Sequence, residues 1–238
     1  MVHYAPPVPD EVGRRERKKL LTRQALVNAA VRLFTEQGYD QTSVADIAEA
    51  ADVSKRTFFL HFPTKEDVLL ADGGPRTDLA VRAIEGRRPD APMREVLAEA
   101  TKNMIAHTAA GDLPNGLAAL RARLVVTTPA VQARVLHTMF TAQTRIAAAL
   151  HKAYPDKLTE ITAAGVVGAL TGAISAAAVT SLQLGEPPER TRAAMQQAAE
   201  IALHHAETLD TGHAAPRGFP GRKGNPRPPM TDIRGARA

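Results

Sequence analysis

Apolar residues recur at helical spacing along most of this chain, and no stretch alternates as a strand does. Leu26, Ala29, Ala30, Leu33 and Phe34 mark one face of a first helix, and Gly38 stands where that helix should stop. Thr42-Ser43 opens a second segment. Asp46, three residues after Ser43, completes a capping box, and Val44, Ile47, Ala48 and Ala51 supply a short apolar face. Ser54 reads as the cap of a third helix over Lys55–His61. Pro63-Thr64 opens a fourth, with Glu66 and Asp67 in a first turn where acids suit the helix dipole. Gly73-Gly74-Pro75 is expected to break or kink it. Beyond that point Asp90-Ala91-Pro92 starts a segment that Gly111 ends, and Thr128-Pro129 starts one that Tyr154-Pro155 closes. Residues 157–184 form a long segment ended by Gly185, and Pro187-Pro188 opens the last, which runs to about Leu209. The pattern predicts an all-α fold of about nine helices.

Composition narrows the chemistry. The 238 residues contain no Cys, which excludes disulfides, thiolate metal sites and cysteine nucleophiles. No glycine-rich phosphate loop, HExxH or nucleophile elbow is present, and adjacent His204-His205 cannot share a helix face. No catalytic residue, metal site or cofactor is expected. No apolar run precedes the basic stretch at Arg14 to Lys19, so a cytoplasmic location is expected. The net charge is +5, but residues 210–238 carry six basic and two acidic side chains and so hold most of the excess. With five Gly, five Pro and five Arg after residue 210, that tail is expected to be disordered. Overall basicity therefore says little about nucleic acid, and a local patch is needed.

The stretch TSVADIAEAADVSKRTFFLHFPTK, Thr42 to Lys65, supplies one. A short helix, a tight turn at Ala51-Asp52-Val53 and a second short helix are the layout of a helix-turn-helix, whose second helix enters the major groove. Ala48 is small where the helices must approach. Ile47, Val53 and Phe58 can pack them together, with Phe62 also assigned to the core. Lys55, Arg56, Thr57 and His61 can then face outward, and no acid occurs between Val53 and Thr64.

Here the sequence resembles the TetR family of transcriptional regulators, through LFTEQGYDQTSV, DIAEAADVSKRTFF and HFPTKEDVL. The specific resemblance covers residues 22–70. It implies that Thr42 and Ser43 cap the second helix and offer hydroxyl and N–H groups to a phosphate. Ser54, Lys55, Arg56 and Thr57 would meet bases and phosphates. Phe59 and His61 would meet the sugar-phosphate backbone, and Lys65 would reach a phosphate. The arm residues Arg14, Arg15, Arg17, Lys18 and Lys19 would add backbone or minor-groove contacts. Two departures stand out. Asp52 replaces the usual turn glycine, which predicts a left-handed backbone there. Phe59 replaces a usual Tyr and loses one hydroxyl.

The resemblance divides the chain into a flexible basic arm (1–21), a helix-turn-helix domain (22–70), a helical effector and dimerisation domain (71–209) and the tail (210–238). It implies a homodimer on double-stranded, palindromic operator DNA, with repression as the family's habit. Residues 161–185 hold no charge, but sixteen of the twenty-five are Ala, Gly, Ser or Thr, a composition of close helix packing rather than of a membrane span. This segment and the Ala-rich last helix are similar to the family's dimerisation pair. Gly168, Gly172, Ala176, Ala194, Ala198, Ile201 and His205 are the expected interface. A small, mostly apolar effector is expected among Met104, His107, Leu120, Arg121, Leu124, His137 and Phe140, with Val125, Leu136 and Met139 nearby. Only two aromatics, Phe140 and Tyr154, occur between residues 71 and 209, which favours an aliphatic ligand. The fourth helix is the expected lever between effector and DNA, its action confined by Gly73-Gly74-Pro75 to residues 65–72. The competing readings are a membrane-associated scaffold and a non-specific DNA-coating protein.

Overall fold

The computed structural model describes residues 9–210, with side-chain environments from Gly13 to His204. The Pro-rich start, the 210–238 tail beyond Asp210 and the side chain of His205 lie outside the described residues. The described residues form nine α-helices and no strand: α1 Pro9–Glu36, α2 Val44–Ala50, α3 Lys55–His61, α4 Gly73–Glu85, α5 Met93–Ala110, α6 Leu117–Thr127, α7 Pro129–Ala153, α8 Glu160–Gln183 and α9 Pro188–Asp210. A 3-10 turn, Glu66–Leu70, joins α3 to α4.

Two expectations change here. Arg14 to Lys19 belong to α1, not to a flexible arm, because the helix runs unbroken from Pro9 and carries the basic residues as its first exposed turns. The fourth helix is two pieces. The 3-10 turn ends at Leu70, and Gly73-Gly74-Pro75 is the first turn of α4 rather than a break within a helix. Proline is harmless in a first turn, where its missing N–H would have had no partner. Gly38 (φ +90) and Gly185 (φ +73) end α1 and α8 in the left-handed conformation that glycine adopts without penalty.

The chain builds two apolar cores. One gathers Leu26, Phe34, Ile47, Phe58, Phe62, Val68 and Leu69 from the N-terminal helices, and also Leu117, Leu120, Leu124 and Val131 from α6 and α7. The N-terminal core thus extends past residue 70. Leu120 and Leu124, expected on an effector cavity, pack into it instead. The second core joins α4, α5, α7, α8 and α9 through Ile84, Met93, Leu97, Leu150, Tyr154, Val167 and Leu203.

α8 is long and apolar enough to cross a membrane by length and composition. In the fold it packs along α9 and α7, burying Ala163, Val167, Leu170 and Ser181 and leaving its opposite face open.

Candidate DNA-reading surface and effector cavity

Local chemistry sets the helix-turn-helix. The Ser43 hydroxyl accepts from the Asp46 N–H at 3.3 Å, and the Asp46 carboxylate accepts from the Ser43 N–H at 2.8 Å. Hydrogen bonding to the carboxylate from the Ser43 N–H and then the Ser43 hydroxyl, with a smaller contribution from Lys55, holds the Asp46 acid below its ordinary range. The turn closes through Asp52 N–H to Glu49 O (3.0 Å) and Val53 N–H to Ala48 O (2.9 Å). Asp52 adopts φ +52, the one positive φ among described non-glycine residues, as its place in the turn predicts. The Ser54 hydroxyl then accepts from the Thr57 N–H at 3.1 Å and starts α3.

Phe58 is wholly buried beneath α3, its ring edge-on to Phe59 and near Phe62. Anchoring that one face turns Ser54, Lys55, Arg56 and Phe59 to solvent. Leu60, 74% exposed, lies on the same surface and was not singled out by sequence; an apolar residue among the helix's polar positions is the signal it left.

Other expected DNA contacts are placed differently. Thr42 is buried and its hydroxyl donates to Gly38 O at 2.8 Å, so it offers DNA no free hydroxyl. The cap of α2 is Ser43 alone. Thr57 is half-buried, with its hydroxyl against that of Ser54 at 2.9 Å. Lys65 folds inward: its ammonium donates to Tyr39 O (2.8 Å) and Thr42 O (3.1 Å) and sits over the Tyr39 ring. Two of its three donors thus stitch the loop before α2. His61 is half-buried, and burial, then Arg23 and Lys19, lower its pKa.

Arg23 is a structural residue that sequence reasoning passed over. Its guanidinium donates to His61 O at 3.0 Å and Ala71 O at 2.7 Å and lies over Phe62. Its sequence signal is position: three residues before Leu26, it falls on the buried face of α1. The 3-10 turn is clamped from other sides as well. The Tyr39 hydroxyl donates to Glu66, Arg134 of α7 donates to Asp67 at 2.7 Å, and Arg121 of α6 donates to Leu69 O at 2.8 Å.

A cavity of about 270 Å³ lies behind that turn, between α4, α5, α6, α7 and α8. Ligand pockets run from roughly 300 Å³ upward, so it suits a small or slender guest. Its wall carries Met104, Ile105, Val125, Met139, Ile146 and Ile174 and no aromatic ring. Arg76 and Arg121 also line it. Of the expected pocket residues, Met104 and Arg121 reach it, as do Val125 and Met139. Leu120 and Leu124 do not, for the reason given above. Phe140 (63% exposed) and Leu136 point to solvent, because α7 turns Val135, Thr138, Met139 and Ala142 inward. His137 lines a separate groove between α4 and α7. His107 is half-buried on α5 outside the lining, and its Nε2 has no hydrogen-bond partner among the described residues.

The expected dimer residues lie on α8 and α9. Ala176 and Ile201 are exposed, while Gly168, Gly172, Ala194 and Ala198 are half-buried. A Cβ added at Gly165, Gly168 or Gly172 would meet nothing within 4 Å, so this face of α8 is open to a close neighbour. Among the described residues no cluster of three potential metal ligands occurs.

Residues 26–71 match the family model described as bacterial regulatory proteins, tetR family. The transcriptional regulator TcmR of Streptomyces glaucescens is 35% identical over 131 residues, 54% of this chain and 58% of that protein. The chain thus spans less than two thirds of that relative. The fatty acid metabolism regulator protein of Bacillus subtilis is 41% identical over 46 residues, 19% of this chain and 24% of its own length. Among solved structures, FadR of Thermus thermophilus, a TetR-family repressor in complex with lauroyl-CoA, superposes with TM-score 0.50 at 24% identity. That superposition covers 85% of this chain and all of the other. The fatty acid degradation regulator FadR of Bacillus halodurans gives 0.53 at 18%, covering 76% and 94%. Both share the fold.

Proposed function

Since the chain belongs to the TetR family of bacterial regulators, we propose that it is a dimeric, sequence-reading repressor that leaves its operator when a small aliphatic effector fills the cavity. The observation that carries the DNA-binding part is the exposed row Ser54, Lys55, Arg56 and Phe59, held outward by the buried Phe58 and the Ser54 cap. Lys and Arg at the start of a recognition helix are the side chains that read guanine edges and grip phosphates. The cavity's aliphatic lining supports the effector part. So does its bond to the reading head, through Arg121 on its wall and Leu69 O in the turn behind α3.

The dimer follows from need and opportunity. A palindromic site calls for two recognition helices, and the open, small-residue face of α8 beside α9 lets a second copy approach closely. The effector acts by preferring the dimer whose helices are wrongly spaced, a coupling of about 1–3 kcal/mol in typical cases. Such a protein acts on DNA in the cytoplasm and needs no catalytic group.

The deciding experiment measures binding at near-physiological salt to DNA from upstream of the protein's own gene and to a shuffled duplex. The expected result is tight, sequence-dependent binding that Lys55→Ala/Arg56→Ala weakens by at least about tenfold per lost contact without lowering the melting temperature. Equal binding to both duplexes with a steep salt dependence would replace this reading with a non-specific DNA-coating protein. Sedimentation without detergent as a dimer separates it from a membrane scaffold built on α8.

A further inference from the structure

The cavity wall holds charges that an aliphatic guest would not require. Arg76 of α4 and Arg121 of α6 both line it, and both reach the same oxygen, Oδ2 of Asp112, at 2.6 and 2.8 Å. Asp112 is fully buried in the loop between α5 and α6. Burial would raise its acid, but Arg121 and Arg76 outweigh that and hold it well below the carboxylate range. Asp72 beside it goes the other way. Burial first, then the proximity of Asp112, push its acid up, and the charges of Arg76 and His107 pull it back only in part. Arg76 and Arg121 converge on Asp112 from α4 and α6. Two guanidiniums thus share one carboxylate oxygen on the wall of an apolar cavity, where an incompletely paired charge is costly.

The two arginines are not equally occupied. Arg121 spends one nitrogen on Asp112 and another on Leu69 O. Arg76 makes a single side-chain hydrogen bond among the described residues, so most of its fork is unspent where it lines the cavity. Gly73, in the first turn of α4, lines the same space, adding the positive end of that helix. A planar monoanion matches a guanidinium fork, and it balances the incompletely paired charge at less desolvation cost than a dianion would.

We propose that the ligand of this cavity is an aliphatic monocarboxylate, its head held by Arg76 and its chain laid along Met104, Met139 and Ile174. This rests on the effector reading above and names its chemical class. The head competes with Asp112 for Arg76 and loosens the carboxylate that Arg121 shares. Arg121 holds Leu69 O. Two residues on, Arg23 holds Ala71 O and, with its other nitrogen, His61 O at the last residue of α3. The head-group site is thus three side chains from the recognition helix.

The test is calorimetric titration of the full chain with decanoate and with decan-1-ol, equal in chain length and different in head. Decanoate is expected to bind at least tenfold more tightly, and Arg76→Gln to bring it to the level of the alcohol. Asp112→Asn, which removes the charge competing for Arg76 and leaves Arg76 in place, is expected to raise the decanoate-to-decanol ratio, and it serves if Arg76→Gln fails to fold. Equal affinities in the unmodified protein, or an unchanged ratio in Asp112→Asn, overturn the carboxylate head and leave an aliphatic effector cavity standing. If neither probe binds, the head group and the effector reading both fall.

Discussion

The two apolar cores are made of different materials. The N-terminal core is filled by rings: Phe34, Tyr39, Phe58 and Phe62 lie within it, the Phe58 and Phe62 centroids 5.8 Å apart. The C-terminal core has one ring, Tyr154, among Ala, Val, Leu, Ile and Met, and beside it lies the cavity. On the proposed function, a DNA-reading head must hold α3 at one angle, and interlocked rings permit few alternatives. On the same reading a ligand domain must accept a guest and shift, and short or unbranched aliphatic side chains repack at small cost.

The largest effect should separate the cores directly. Phe62→Ala is expected to cost about 3–5 kcal/mol in chemical denaturation, because the neighbouring rings cannot collapse into the hole. Met139→Ala, on a wall that already borders empty space, should cost less than about 2 kcal/mol. Similar losses would mean that the cavity wall is as tightly interlocked as the head. Adding volume reverses the test. Ala48→Leu, between α2 and its neighbours, should cost about 1–3 kcal/mol, whereas Ala178→Leu, pointing into the cavity, should cost nothing measurable and should block decanoate.

The junction between the regions should show in pH dependence. Because the Asp72 acid is held up in the folded chain, the folded state binds the extra proton, and stability falls as pH rises through the folded value. Asp72→Asn should therefore melt higher than the unmodified protein above neutrality, with the gap closing below about pH 3, where the acid is protonated in both states. If Asp72→Asn instead melts lower above neutrality, with the difference vanishing on acidification, Asp72 is an ionised partner of Arg76. The smallest effect belongs to the turn. Asp52→Gly should stabilise by under about 1 kcal/mol, by relieving a positive φ that Asp tolerates imperfectly.

The two regions also differ in how far their sequence could be read. The caps at Ser43 and Ser54, the acid partner at Asp46 and the left-handed Asp52 are contacts within three or four residues, so local spacing suffices to predict them. The lining of the cavity is not local. Along α7 both Leu136-Phe140 and Val135-Met139 make plausible apolar faces, and only packing against α4 and α8 decides which turns inward. The same holds on α6, where Leu120 and Leu124 serve the N-terminal core while Arg121 and Val125, one residue on, serve the cavity.

Local spacing therefore settled the all-helical architecture, the boundaries of most helices and the helix-turn-helix, down to the Ser54 cap of its second helix. Tertiary structure alone decided that Thr42 and Lys65 are spent inside the fold and that α1 begins before the basic residues. It alone brought Arg76, Asp112 and Arg121 together on one cavity wall. Residues 76 and 112 are 36 positions apart, and no periodicity or motif ties them to each other. Helical spacing reports which residues share a face; which face meets which neighbour depends on how whole helices pack.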